Sequence, residues 1–306
     1  MIEVRVSQGD ADDAGSLEIY NAVFPENAFA LEDAKWFKAG MVAADDHLAF
    51  LDGKAVGSAL TVIRPHRRDV AFAPITVLAE HRRRGVGTAL YDHVSRWAAE
   101  RGVRELEASV EEDDAETIAS IEKRGFREIE RSGRMALDLT TVEPEPVAPP
   151  AGIEITTWAE RPELARGIYE VAAEASRDIP GQEEDEVEPF EAWLRNDMSG
   201  PGDPPEATFV ALAGEEVVGF SKFSLTRARP RLAYHDLTAV KRAWRGRGIA
   251  GALKRAQIAW AKSVGYERLL TNNEMRNTPI RKLNARLGYQ PAPGDILFKG
   301  PIKAIS

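Results

Sequence analysis

Apolar residues at helical spacing mark two segments. Val86, Leu90, Val94 and Trp97 share one helical face, and Ile249, Leu253, Ala256 and Trp260 share another. Gly102 and Gly265 follow where C-terminal caps belong. A further helix is predicted up to Gly125 and another up to Gly288. The latter opens Asn277-Thr278-Pro279, an N-cap candidate with proline near the first turn. Strand-like runs open at Ile2 and at Ile153. Two hairpins are predicted, one turning at Asp52-Gly53 and one at Ala213-Gly214, each between apolar runs. Each half therefore reads as strand, helix, two to three strands, helix, strand, helix, strand.

The halves repeat in detail. Residues 77–126 shifted by 163 positions fall on 240–289 without a gap, and twelve of those fifty positions are identical. Val77 meets Val240, Arg82 meets Arg245, Gly85 meets Gly248, Trp97 meets Trp260 and Gly125 meets Gly288. Glycines, arginines and tryptophans in register point to a duplicated domain. Between the halves lies Thr141 to Ala151, with four prolines and little to bury, the composition of an extended linker. The expected domains are 1–140, a linker over 141–151, and 152–306.

Composition narrows the chemistry. The 306 residues contain no cysteine, which excludes disulfides, thiolate metal sites and a cysteine nucleophile. His47, His66, His81 and His93 lack metal-ligand spacing, so no metal is expected. The opening residues alternate like a strand and lack the apolar core of a signal peptide. No uncharged apolar run approaches the roughly 18 residues of a membrane helix. The expectation is a cytoplasmic chain without a membrane partner. A net charge of −9 argues against nucleic acid. It leaves room for a small anion at a local basic patch and mildly favours a cationic substrate.

Two such patches stand out: Arg82-Arg83-Arg84-Gly85-Val86-Gly87-Thr88 and Arg245-Gly246-Arg247-Gly248-Ile249-Ala250. Each follows a strand ending in valine and opens a helix. Small residues allow close backbone approach, and N–H groups converge at the positive end of the helix. That is a cradle for a pyrophosphate. One such loop is a weak signal, because a glycine turn with solvated arginines looks the same; two in register are stronger. Neither is a Walker loop nor a dinucleotide G-x-G-x-x-G.

The pattern of valine, four residues, then Arg-x-x-Gly-x-Gly/Ala resembles the acyl-CoA motif of the GCN5-related N-acetyltransferases (GNAT family). Lys123-Arg124-Gly125-Phe126 and Arg286-Leu287-Gly288-Tyr289 resemble the family's second motif, about 40 residues on. The resemblance covers nearly the whole chain as two copies. It implies two α/β (α+β) domains. Each would be a mixed, mostly antiparallel sheet flanked by helices and splayed after the fourth strand. It implies acetyl-CoA as donor and direct attack by a primary amine. It also implies cofactor contacts at Val77 and residues 82–88, at Val240 and residues 245–250, and at Asn273 and Asn277. A backbone N–H on the fourth strand would stabilise the oxyanion.

The halves differ where a base would sit. At the 163-residue offset Asp236 meets Ala73, and His235 meets Phe72. Asp236 is the candidate base or water-organiser and His235 the rival; strand neighbours face opposite sides, so at most one faces the acetyl group. The first half also has Asp114 where the second has Asn277, so it reads as a degenerate copy. The family's usual acidic tyrosine is replaced by Ile121 and Asn284, leaving Tyr289, Tyr266 or water. Asp178, Glu183, Glu184, Asp185, Glu186, Glu188 and Glu191 suggest an acidic lid for a small cationic amine, or a solvated loop. Two alternatives stand beside the enzyme: an acyl-CoA-binding sensor without turnover, and a subtype resembling mycothiol synthase, also a tandem of this kind.

Overall fold

A computed structural model describes residues 1–65, 67–178, 187–275 and 277–303. His66, Arg276 and the acidic stretch holding Glu183, Glu184, Asp185 and Glu186 lie outside them. The elements run β1 (Ile2–Val6), α1 (Asp10–Val23), α2 (Leu31–Ala39), β2 (Ala43–Leu51), β3 (Lys54–Arg64), β4 (Arg67–Phe72), β5 (Ile75–Val77) and α3 (Val86–Glu100). Next come β6 (Glu105–Glu111), α4 (Ala115–Glu122), β7 (Arg127–Asp138), β8 (Glu154–Thr157), α5 (Ala165–Ser176) and α6 (Phe190–Trp193). The chain closes with β9 (Thr208–Ala213), β10 (Glu216–Ser224), β11 (Leu232–Val240), α7 (Ile249–Ser263), β12 (Arg268–Glu274), α8 (Thr278–Arg286) and β13 (Gln290–Pro301).

These elements form two compact units, one of residues 1–131 with 295–306 and one of 132–294. The division differs from the one read at the proline-rich segment. The chain leaves the first unit within β7 and returns to it within β13. In the first unit the sheet runs β1-β2-β3-β4-β6 and then the last part of β13, with β5 on β3. Asp295 to Pro301 pair antiparallel with Glu111 to Glu105. In the second unit the order is β7, β12, β11, β10, β9, β8. Ser132 to Asp138 there pair antiparallel with Glu274 to Arg268. Each sheet is thus mixed and mostly antiparallel, flanked by helices.

Local chemistry accounts for the elements. Asp52 and Gly53 both adopt positive φ (52° and 82°), the backbone a two-residue hairpin between β2 and β3 requires. The predicted apolar faces are buried: Leu90 and Val94 of α3, Ile249 and Leu253 of α7. Gly102 and Gly265 adopt φ of 76° and 95° just past those helices, as left-handed caps. Asn277 occupies the N-cap place of α8, but its side chain makes no capping bond. The first unit's core joins Val56, Leu90, Val94 and Leu106 to Ile296 and Phe298. In the second, Leu137 and Leu139 of the β7 side pack with Leu269 and Tyr289.

Candidate functional site

Among the described residues, each sheet has a parallel pair that lets go early. β4 pairs with β6 through Val70–Glu105, Ala71–Leu106 and Phe72–Glu107. β11 pairs with β12 through Leu232–Arg268, Ala233–Leu269 and Tyr234–Leu270. Beyond those residues β5 keeps its bonds to β3. Leu60 N–H donates to the Pro74 carbonyl (3.3 Å) and Leu78 N–H to that of Val56 (3.1 Å). Backbone groups alternate along a strand, so the N–H groups of Ile75 and Val77 point away from β3, to the edge where β6 has diverged. Lys241 N–H donates to the Val218 carbonyl (2.9 Å), which places the N–H of Val240 on the corresponding edge of β11.

The two loops fold alike. Gly85 and Gly248 are the N-cap residues of α3 and α7, each at φ 87°. Two residues earlier Arg83 and Gly246 are also left-handed, at 60° and 76°. The first arginine of each loop is a brace. Arg82 Nε donates to the Val77 carbonyl (3.3 Å) and Arg245 Nε to that of Val240 (2.9 Å). Val86 and Ile249 point into the cores. Arg84 faces solvent beside His81, and Arg247 lies over Trp244, 4.7 Å from its centroid.

Around the loops the units part company. In the first, a cleft of about 900 Å³ opens between β5 and β6, lined by Val77, Arg82, Arg83, Gly85, Gly87 and Thr88. The turn after α4 adds Lys123 and Arg124, and α3 adds Tyr91. Thr88 accepts a hydrogen bond from Arg124 (3.0 Å), and Arg83 pairs with Glu116 (3.0 Å). Asp114 also lines the cleft, but its carboxylate caps α4, accepting from the Thr117 N–H (2.9 Å) and hydroxyl (2.7 Å). These residues fit an acyl-CoA. The first turn of α3 carries N–H groups without helical partners, the loop is basic, and the splayed strands leave a slot for a narrow arm.

The second loop is engaged from within its own unit. Arg245 pairs with Asp178 (2.7 Å), and Arg242 grips the same carboxylate bidentately. Its hydrogen bond with Arg242, then Arg245, holds Asp178 down at about 2. A Cβ on Gly248 would lie 3.8 Å from Pro150, so the proline-rich segment runs close over the loop. That segment is fastened to α7 by Glu145 with Arg255 (2.6 Å) and by Glu143 with Lys262 (3.1 Å). The first half, read from sequence as a degenerate copy, has a cleft lined by its loop.

The candidate bases separate as neighbours on a strand must. His235 is 1% exposed, with Nδ1 2.8 Å from the Tyr289 hydroxyl and Nε2 against Gln257 and Ser221 (3.3 Å to the latter). Burial, with Lys254 nearby, pushes its pKa well below the ordinary histidine value. It is a neutral core group that an acceptor amine does not reach, which corrects its candidacy as the rival base. Tyr289 is removed as a proton donor on the same ground, and burial raises the Tyr266 phenol. Asp236 faces the other way with its side chain 49% exposed, 3.2 Å from the buried Lys222 ammonium. Lys222 also meets Asp203 at 2.8 Å, and burial pushes nearby Asp197 up to about 6. Asn273 accepts from Asn284 (2.7 Å) and donates to its neighbour's carbonyl (2.8 Å). Sequence reasoning passed over Tyr20, Phe24 and Tyr91, which line the first cleft. Tyr91 stands at the offset position of Lys254, one of several differences inside the matched helices.

Comparison with known proteins agrees with this geometry. The profile of the Acetyltransferase (GNAT) family matches residues 16–126 and 166–289. No curated protein matches significantly. Among solved structures, a tandem GNAT protein from the clavulanic acid biosynthesis pathway, solved without AcCoA, superposes with a TM-score of 0.77 at 20% identity, covering 100% of both chains. A GCN5-related N-acetyltransferase from Sphaerobacter thermophilus gives 0.71 at 21% identity, covering 99% of this chain and 96% of that one. A GNAT-family acetyltransferase from Colwellia psychrerythraea gives 0.64 at 14%, covering 98% and 100%. At these identities the likeness is one of fold. Among the described residues no group of side chains is arranged to hold a metal, and no helix is long and apolar enough to cross a membrane.

Proposed function

Because the chain belongs to the acetyltransferase (GNAT) family, we propose that it moves an acetyl group from acetyl-CoA to a primary amine of a small molecule, with the donor held in the first unit. The observation that carries this reading is the cleft of about 900 Å³ into which the first loop and the splayed strands open. Gly85, Gly87 and Thr88 would receive the pyrophosphate on backbone N–H groups, with Arg83, Lys123 and Arg124 supplying charge. Acetyl-CoA supplies the activated acyl group when bound. The N–H groups of Ile75 and Val77, which point away from β3, would stabilise negative charge on a carbonyl oxygen held beside β5, as fixed dipoles needing no reorganisation. The Tyr91 hydroxyl, now donating to the Pro301 carbonyl (2.8 Å), is the candidate proton donor to the departing sulfur.

A second reading places turnover in the second unit, favoured by Asp236, a half-exposed carboxylate at the edge of a splayed strand. Asn273 and Asn277 would then contact the cofactor arm. A third outcome, binding without turnover, belongs to a sensor. Titration calorimetry of acetyl-CoA against wild type, Gly85→Asp and Gly248→Asp separates them, because each variant puts a carboxylate where a phosphate should lie. Loss of binding in Gly85→Asp alone is expected. Loss in Gly248→Asp alone would move the cofactor to the second unit and restore Asp236 as the base. No binding to wild type would leave only the fold.

A further inference from the structure

The first unit's cleft has walls of opposite character. The loop and the turn after α4 make a basic wall, suited to phosphates. α1 packs beside β5 and contributes Tyr20 and Val23, Phe24 follows at its end, and Phe72 joins them from β4. The Tyr20 and Phe24 rings are 5.2 Å apart, and Phe29 stands 6.2 Å from Tyr20. Phe29 is 41% exposed. Its backbone is pinned by Asn21, which donates to its carbonyl (2.9 Å) and accepts from its N–H (3.0 Å). These rings are fixed and only part-covered, an arrangement that offers aromatic faces to a flat partner.

The strand that enters the cleft carries no proton-accepting side chain. It presents Phe72, Ala73, Pro74, Ile75, Thr76 and Val77. Of the carboxylates in the lining, Asp114 caps α4 and Glu116 pairs with Arg83, while Glu111 and Asp295 stand opposite each other in register on β6 and β13, off that strand. An aliphatic amine is protonated near pH 7, with a pKa of about 10 as in lysine, and must lose a proton before it attacks. An amine on an aromatic ring is already neutral there, because its lone pair is shared with the ring.

We infer that the acceptor of this cleft is an aromatic amine, uncharged at neutral pH, with its ring held by Tyr20 and Phe24. The inference rests on acetyl-CoA occupying the first cleft. The nitrogen lone pair forms the N–C bond, and the C–S bond breaks with its electrons on sulfur. The proton shed by the nitrogen ends on that sulfur, giving an anilide and free CoA.

The test is thiol release from acetyl-CoA with 4-methylaniline or spermidine, for wild type, Phe24→Ala and Phe24→Leu. Acetyl-CoA affinity of each protein is measured alongside by calorimetry. The expected result is turnover of 4-methylaniline, flat between about pH 6 and 8. Phe24→Ala should raise its KM about tenfold, the scale of one lost ring contact, with acetyl-CoA affinity unchanged. Phe24→Leu, which keeps apolar bulk, should fall between. Turnover of spermidine but not 4-methylaniline overturns the inference and leaves acetyl transfer intact, as does bound acetyl-CoA with neither amine consumed. A wild-type preference for hexanoyl-CoA that Phe24→Ala abolishes with every amine also overturns it, since the wall would then hold the acyl chain. Failure of wild type to bind acetyl-CoA removes the underlying reading instead.

Discussion

Lys254 occupies in α7 the place that Tyr91 occupies in α3, and the exchange has a thermodynamic signature. Its side chain is 1% exposed, with the ammonium 5.5 Å from the Tyr289 ring centroid and no carboxylate beside it among the described contacts. Burial alone lowers its pKa from 10.5 to about 7. Between those values the unfolded chain holds a proton that the folded chain lacks. Stability therefore rises with pH across that window, by up to about 1.4 kcal/mol per unit, and the whole penalty stands below pH 7. Lys254→Met should raise stability at pH 7 by roughly 1–4 kcal/mol, since apolar replacement of a buried charge is favourable on that scale. Urea unfolding at pH 7 and pH 9 checks this: the gap between variant and wild type should narrow at the higher pH. An equal gap at both would show that the ammonium is not what the burial costs. The sequence displays a lysine on the helix but not its burial, because neighbours such as His235 and Tyr289 come from other elements.

Elements governed by neighbours in sequence were legible. The hairpin at Asp52-Gly53, the left-handed Gly102 and Gly265, and the buried faces of α3 and α7 all follow from local rules. The two glycine-arginine loops were legible as cradles for the same reason. The partners of their arginines were not, because Glu116 and Asp178 reach the loops from distant positions. Asp114, read from sequence only as a departure from Asn277, is the cap of α4, with both Thr117 groups as donors. Asp114→Ala should cost about 1 kcal/mol of stability, the usual value of a lost cap, and fray the helix that leads into Lys123 and Arg124. Asp114→Asn should retain most of it. Thermal unfolding of the two variants, with amide exchange across α4, measures both effects. Equal loss in both would mean that the charge matters rather than the cap.

Across the molecule, the duplication was plain in sequence, whereas the strand that completes each sheet was not. β7 and β13 have the same apolar alternation whichever partner they take, so pattern alone cannot choose. The structure gives residues 132–138 to the second unit and 295–301 to the first. Ile296 and Phe298 thereby enter the first unit's core at 2% and 1% exposure, and Leu137 enters the second's at 1%. Removing one such side chain costs about 2–5 kcal/mol, and a domain's whole stability is about 5–15 kcal/mol. Loss of an entire strand, with the unpaired edge of β6 left behind, should exceed what a unit can bear. A fragment of residues 1–140 lacks 295–301, and a fragment of 152–306 lacks 132–138. Expressed separately, each is expected to aggregate or to unfold without a cooperative urea transition, whereas the two expressed together should recover soluble protein. Circular dichroism and size-exclusion chromatography decide it. If the 1–140 fragment unfolds cooperatively with a midpoint near that of the full chain, β13 is dispensable, and each half folds on its own strands as the linker first suggested.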